Sequence, residues 1–400
     1  MAPPSTTQTP QRGTGRGIGI RTAAGSDERA HGQLHVYDGD GKGKSQAALG
    51  VVLRTIGLGI CEQKRTRVLL LRFLKGPGRT YDEDGAIEAL QQGFPHLIDQ
   101  VRTGRGDFFT AEEASRFDRQ EAQRGWDIAK GAIASNLYSV VVLDEINPVL
   151  DLGLLDVDEV VRILATKPDG MEVICTGRGA PRQLVQLADL HSEMRAHRRQ
   201  WPNGEVADGL EADQERGLEG IEIYTGEGKG KSTSALGKAL QAIGRGISQD
   251  KSHRVLILQW LKGGSGYTED AAIAALRESY PHLVDHLRSG RDAIVWRGQQ
   301  QPIDYVEAER AWEIARAAIS SGLYKTVILD ELNPTVDLEL LPVDPIVQTL
   351  LRKPAETEVI ITGRCKSRPA YFDLASVHSE MVCHKHYAER GVDLKRGVDY

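Results

Sequence analysis

Two stretches of this chain carry residues arranged to do chemistry on phosphate: GDGKGKS at residues 39–45 and GEGKGKS at residues 226–232. Glycines free successive backbone N–H groups to converge on phosphate oxygens, and a helix beginning where the loop ends adds its positive pole. Lys44 and Lys231 supply point charges, while the Ser45 and Ser232 hydroxyls are of the type that ligates Mg²⁺ beside a triphosphate. The candidate ATP-binding set is Gly39, Asp40, Gly41, Lys42, Gly43, Lys44 and Ser45, and again Gly226, Glu227, Gly228, Lys229, Gly230, Lys231 and Ser232. Against the common G-x-x-x-x-G-K-[ST] spacing both loops are one residue short, since Asp38 and Thr225 stand where the first glycine belongs.

Acidic partners follow at the ends of apolar runs, Asp144–Glu145 after VVVL and Asp330–Glu331 after TVIL. That is where P-loop proteins place the acid that holds Mg²⁺. The candidate metal set is therefore Ser45, Asp144, Glu145, Ser232, Asp330 and Glu331. Arg178 and Arg364, each in a TGR stretch after a further apolar run, fall at the same sheet edge. An arginine there grips a triphosphate or, alternatively, caps a loop. With Lys44 and Lys231 these two arginines make up the catalytic candidates.

The elements that must position these residues occur twice. Gly43 recurs as Gly230, 187 residues on; VVVLDEINP recurs as TVILDELNP, EVICTGR as EVIITGR, and LHSEM as VHSEM. Repetition over such a span marks a tandem duplication of one domain. QLHVY and IEIY read as strands entering the loops; after them Leu49, Val52, Leu53, Ile56 and Leu236, Ala239, Leu240, Ile243 follow helical spacing. GLG at 57–59 and GRG at 244–246 are expected to end those helices through a left-handed glycine cap. RVLLLRF, RVLILQW and the other apolar runs read as buried strands. The fold class expected is α/β: two tandem P-loop NTPase-like domains, each a mostly parallel sheet flanked by helices. The expected boundaries are a tail at 1–32, domains at 33–197 and 221–400, and a polar linker at 198–220.

A chain of 400 residues with 40% hydrophobic and 26% charged residues is of ordinary globular composition and long enough for two domains. A net charge of −6 gives no basic footprint for nucleic acid, and no apolar run approaches the ~18 residues of a membrane span. Four cysteines without CxxC spacing suit a reducing, cytoplasmic location. The tail holds three arginines and no acid in its first 26 residues, but Gly and Pro interrupt any amphipathic face. It reads as a flexible tail, with a targeting segment as the alternative. His384 and His386 beside Cys383 lack the further ligands of a zinc site.

The short G-x-G-K-G-K-S loop, FLKG/WLKG, VVLDE with its following Asn, TGRGAPRQLVQLADLHSEM and the closing HKHYAERGVDLKRGVDY together resemble the P-loop corrinoid adenosyltransferases of cobalamin biosynthesis. The resemblance covers each half almost end to end. It implies that ATP and Mg²⁺ bind the loops, that a Co(I) corrinoid attacks the ribose 5′ carbon, and that triphosphate leaves. It also implies a reductase that delivers Co(I), and that the two halves form inside one chain the dimer that family members make from two. Where the family carries a mid-domain aromatic stretch, this chain has Phe108 and Phe109 in one half and Trp296 in the other. These are the candidate corrinoid contacts, with ordinary core residues as the alternative. An ATP-binding regulatory or scaffold protein that has lost corrinoid chemistry is the competing function.

Overall fold

The computed structural model describes residues 32–62, 66–76, 78–107, 109–198 and 218–400. Most of the expected tail and linker, and Phe108, lie outside the described residues. Of the linker's ends, Arg198 is the last residue of a strand and residues 218–220 open the next.

The first half places strands β1 (Leu34–Asp38), β2 (Val68–Arg72), β3 (Ile98–Arg102), β4 (Val140–Asp144), β5 (Glu172–Thr176) and β6 (Leu190–Arg198). Between them run α1 (Lys44–Glu62), α2 (Asp84–Gly93), α3 (Arg116–Ser135), α4 (Ile146–Asp151), α5 (Val157–Ala165) and α6 (Arg182–Leu187). The second half repeats the strands as β7 (Leu218–Thr225), β8 (Arg254–Gln259), β9 (Val284–Arg288), β10 (Tyr324–Asp330), β11 (Glu358–Thr362) and β12 (Ala375–Lys385). Its helices are α7 (Lys231–Ser248), α8 (Glu269–Ser279), α9 (Pro302–Ser321), α10 (Leu332–Asp337) and α11 (Val343–Leu351).

All the strands join one 12-stranded sheet in the order β3-β2-β4-β5-β1-β6-β12-β7-β11-β10-β8-β9. Pairing is parallel except at the seam, where β6 meets β12 antiparallel with Met194 opposite Met381. Those methionines are 187 residues apart, the repeat offset, so a pseudo-twofold axis passes between them. Alternate residues of each buried strand serve opposite faces. On one face Leu69, Leu71, Val141 and Leu143 pack under α3 to α6, and Leu256, Leu258, Val327 and Leu329 form the equivalent core of the second half. On the other face a single core unites Leu53, Ile56 and Ile87 with Leu240, Ile243 and Ile273. The halves therefore share a hydrophobic core as well as a sheet.

The glycines of GLG and GRG do not cap their helices, contrary to the expectation from sequence: α1 continues to Glu62 and α7 to Ser248. Gly57 and Gly244 lie inside the helices because another backbone passes against them. A Cβ on Gly57 would lie 1.8 Å from the Thr268 carbonyl oxygen, and one on Gly244 2.2 Å from that of Asp82. The crossing of α1 and α7 has the same cause. A Cβ on Gly50 would sit 2.0 Å from the Thr233 oxygen, and one on Gly237 2.0 Å from the Gln46 oxygen.

Candidate functional site

Each glycine-rich loop leaves the carboxyl end of its half's first strand and opens a long helix, and it leans on the seam. Gly41 N–H donates to the Met194 carbonyl at 2.6 Å and Gly228 N–H to that of Met381 at 2.7 Å. Gly39 and Gly226 have φ of +95° and +99°, and a Cβ on either would lie 2.4 Å from that same methionine oxygen. These glycines thus satisfy the strand contact, and the same missing side chains would let a phosphate approach the backbone. Lys44 Nζ turns back onto the Gly39 and Gly41 carbonyls at 2.7 and 2.6 Å; Lys231 Nζ meets Gly228 O at 2.7 Å. Burial pulls both ammonium groups down to about 8. Nearby Arg178 adds to the fall at Lys44 and Arg364 at Lys231, against the opposing pull of Glu145 and Glu331. Each loop therefore holds a poorly solvated cation whose charge an incoming polyphosphate would stabilise.

The acid pairs end β4 and β10 beside the loops. Asp144 accepts from Lys75 Nζ at 2.6 Å and from Thr176 Oγ1 at 2.6 Å. Asp330 accepts from Lys262 Nζ at 2.5 Å, Thr362 Oγ1 at 2.6 Å and Gln259 Nε2 at 2.8 Å. Burial opposes ionisation of both carboxyls, but the lysine charge and these bonds outweigh it, leaving both below the usual carboxylate range. Glu145 and Glu331 go the other way, pushed up by burial and by the neighbouring aspartate charge. Both glutamates adopt left-handed backbone, φ +62° and +63°, and donate their N–H to Thr176 and Thr362 at 3.1 Å. Strain of that kind at a strand end is held only where the surroundings impose it.

Ser45, Asp144 and Glu145, like their counterparts, form a hard oxygen donor set, and a raised glutamate beside an ionised aspartate is relieved by a divalent cation. Among the described residues no group of three or more His, Cys, Asp or Glu is placed to hold a metal. A magnesium ion here would thus take its remaining ligands from phosphate and water, as that ion commonly does. The His384/His386/Cys383 group is not placed to hold one either.

Lys75, Lys262, Thr176 and Thr362 join the site without having been singled out from sequence. The lysines lie in the FLKG and WLKG stretches, and the threonines open TGR, so the signal was a repeated motif without an assigned partner. Asn147 donates to the Gly177 carbonyl at 2.9 Å and Asn333 to that of Gly363 at 3.0 Å, tying the start of α4 and of α10 to the TGR turns. Arg178 and Arg364 are exposed at the mouths; Arg364 pairs with Glu227 of the second loop at 3.1 Å. Asp40 accepts from Ala196 N–H at 3.1 Å.

A cavity of about 650 Å³ lies over the second loop, reaching Lys231, Ser232, Lys262, Glu331 and Arg364. Its far wall comes from the first half, through His35, Tyr37, Val51 and Arg54, and from Leu394, Val398, Asp399 and Tyr400. The described aromatic candidates, Phe109 and Trp296, are not among its lining residues. Phe109 packs against the first half's outer core with Arg105 4.1 Å from its ring centre, and Trp296 is 46% exposed while Ile294 lines the cavity.

The family model of the ATP:corrinoid adenosyltransferases BtuR/CobO/CobP matches the chain twice, over residues 30–211 and 216–400. An uncharacterized protein of Nostoc sp. is 72% identical over 388 residues, 97% of this chain and 100% of its own length. Corrinoid adenosyltransferases of Escherichia coli and Pseudomonas aeruginosa are 32% and 30% identical over 190 residues. Each spans 48% of this chain, with 89% and 87% of its own length covered, so one such protein corresponds to about one half of this one. With both halves matched, the chain belongs to the ATP:corrinoid adenosyltransferase family as a tandem duplicate.

Proposed function

We propose that this protein transfers the 5′-deoxyadenosyl group of ATP to a Co(I) corrinoid and releases triphosphate. The observation that carries the reading is the convergence, in both halves of a twice-matched family member, of a loop lysine, a second lysine on an aspartate, an acid pair and an arginine at one sheet edge. In the reaction the cobalt lone pair forms the Co–C5′ bond while the C5′–O5′ bond breaks, its electron pair leaving with the triphosphate. No protein base is required. The protein's task is to hold the triphosphate and neutralise charge as it departs. Lys44 and Lys231 suit that task because burial leaves each ammonium under-solvated until an anion arrives. Lys75 and Lys262 fix the aspartates. Mg²⁺, held by Ser45 with Asp144 and Glu145 or by Ser232 with Asp330 and Glu331, would add charge neutralisation.

The Co(I) substrate requires an electron donor, so a reductase belongs to the reading. So does an internal pseudo-dimer, which the pseudo-twofold seam and shared core support. Among the described residues no helix is long and apolar enough to cross a membrane. A regulatory ATP-binding role is the second reading, favoured by Phe109 packed against the first half's outer core and Trp296 outside the cavity lining. An anaerobic assay with ATP, Mg²⁺ and reduced corrinoid separates them. Co–C bond formation with triphosphate as the phosphorus product supports transfer; ATP binding with no product supports regulation.

A further inference from the structure

The second loop's cavity is built by both halves, and residues of the first half's α1, Arg54 above all, hold its wall in place. Arg54, on α1, is 4% exposed. Its guanidinium reaches Glu269 at 3.2 Å and donates to the Asp399 and Val398 carbonyls at 2.7 and 3.4 Å. Beside it Thr55 donates to the Gly397 carbonyl at 2.9 Å, and Arg396 pairs with Glu62. The closing segment, residues 394–400, is thereby fastened to the first half while its Asp399 carboxylate engages Lys229 of the second loop. At the equivalent position of the other half stands Gln241, which meets Glu83 at 3.1 Å. There Lys42 of the first loop lies 3.6 Å from Glu222, a strand residue.

We propose that Arg54 is a positioning residue for the second nucleotide site alone: it clamps residues 394–400 over that cavity, making the two loops unequal in their hold on ATP. The segment crosses between halves, so the second site is complete only with the first half docked against it. Arg54 itself touches the segment's backbone carbonyls, whose positions it sets whatever their side chains. This inference rests on the reading that the loops bind ATP.

The test is Mg·ATP binding without corrinoid, measured on the full chain in two backgrounds: Lys44→Ala, which reports the second loop, and Lys231→Ala, which reports the first. Arg54→Gln copies the other half's residue. It is expected to weaken ATP binding tenfold or more in the first background and to change it less than twofold in the second. Because Arg54→Gln leaves Glu269 buried with less charge around it, the double variant Thr55→Val/Arg396→Ala, which loosens the segment from outside the cavity, is run beside it. The same one-sided loss is expected. Equal weakening in both backgrounds, or none in either, overturns the proposal and leaves the proposed function standing. A parent protein that binds no ATP at either loop overturns both.

Discussion

The two glycine-rich loops differ by a single residue, Asp40 against Glu227, yet the lysines two places before Lys44 and Lys231 live in different surroundings. Lys42 is 38% exposed and lies 3.6 Å from Glu222 across the seam. Glu222 also holds Lys238 at 3.1 Å and the Tyr224 hydroxyl at 2.8 Å. Burial opposes its ionisation, but the two lysines outweigh burial and bring its carboxyl to about 2. Lys229 instead meets Asp399 and the Tyr387 hydroxyl, both from the closing part of the chain. The partners differ because His35 stands in the first half where Glu222 stands in the second, and Val51 where Lys238 stands. In a symmetric dimer one substitution alters both copies of an interface. Fusion removes that constraint: the first loop's lysine takes a partner across the seam, and the second loop's takes partners from its own half.

The comparison breaks most completely where symmetry survives, at the crossing of α1 and α7. Gly50→Ala and Gly237→Ala each force a methyl to about 2.0 Å from a carbonyl oxygen of the other helix. Helix propensity returns roughly 1 kcal/mol, but overpacking is expected to leave a net loss of about 3 kcal/mol. Chemical denaturation should show similar losses for the two variants, and ATP titration should show both loops weakened together. A loss confined to one loop would mean that the halves stand independently.

Next come the loop lysines. On the proposed function, Lys44→Ala and Lys231→Ala each remove a charged donor to phosphate, which corresponds to about 3 kcal/mol or roughly a hundredfold in affinity at that loop. Binding stoichiometry in each single variant reads how many loops take nucleotide, and turnover reads how many transfer. Stoichiometry unchanged at high affinity in either variant would remove that lysine from the site.

Acidity gives a finer comparison. Both lysines sit at about 8 in the free protein, below the ordinary 10.5, and an anion raises them. On the proposed function it is the charged form that meets phosphate, so affinity should stay level below about pH 8 and fall up to tenfold per pH unit above it. Calorimetry at pH 8.5 in buffers of different ionisation enthalpy should register proton uptake on binding. For stability the sign is opposite. Between about 8 and 10.5 the unfolded chain holds more protons on these lysines than the folded one, so their contribution rises with pH across that window.

Much of this is legible in the sequence alone. The loops, the acid pairs and the arginines announce themselves by residue type and spacing, and duplication doubles each signal. What escaped depends on register. Lys75 meets Asp144 across 69 residues, and Thr176 meets it across 32, because β2 and β5 flank β4 in the sheet. Nothing local in FLKG or TGR states that adjacency. The glycines at 57 and 244 were misread for a related reason. A cap and a close crossing both demand a missing side chain, and only the packing of the other half distinguishes them.

The smallest effect tests how far the acid sites themselves have diverged. Thr176→Val and Thr362→Val keep shape while deleting a hydroxyl that donates to an aspartate and accepts a glutamate N–H. Each lost bond is expected to cost about 1–1.5 kcal/mol at neutral pH. Both aspartates lie below their ordinary value, so that stabilisation is present above the unfolded carboxyl range and fades as pH falls through the folded one. The two costs should not be equal. Asp330 retains Gln259 Nε2 at 2.8 Å, whereas the first half has Arg72 at that position, turned to Glu83 and Asp84 at 2.6 and 2.7 Å. Thr362→Val should therefore be the milder change in urea unfolding at pH 7. A reversed order would mean that the Gln259 amide does not compensate for the lost hydroxyl at Asp330.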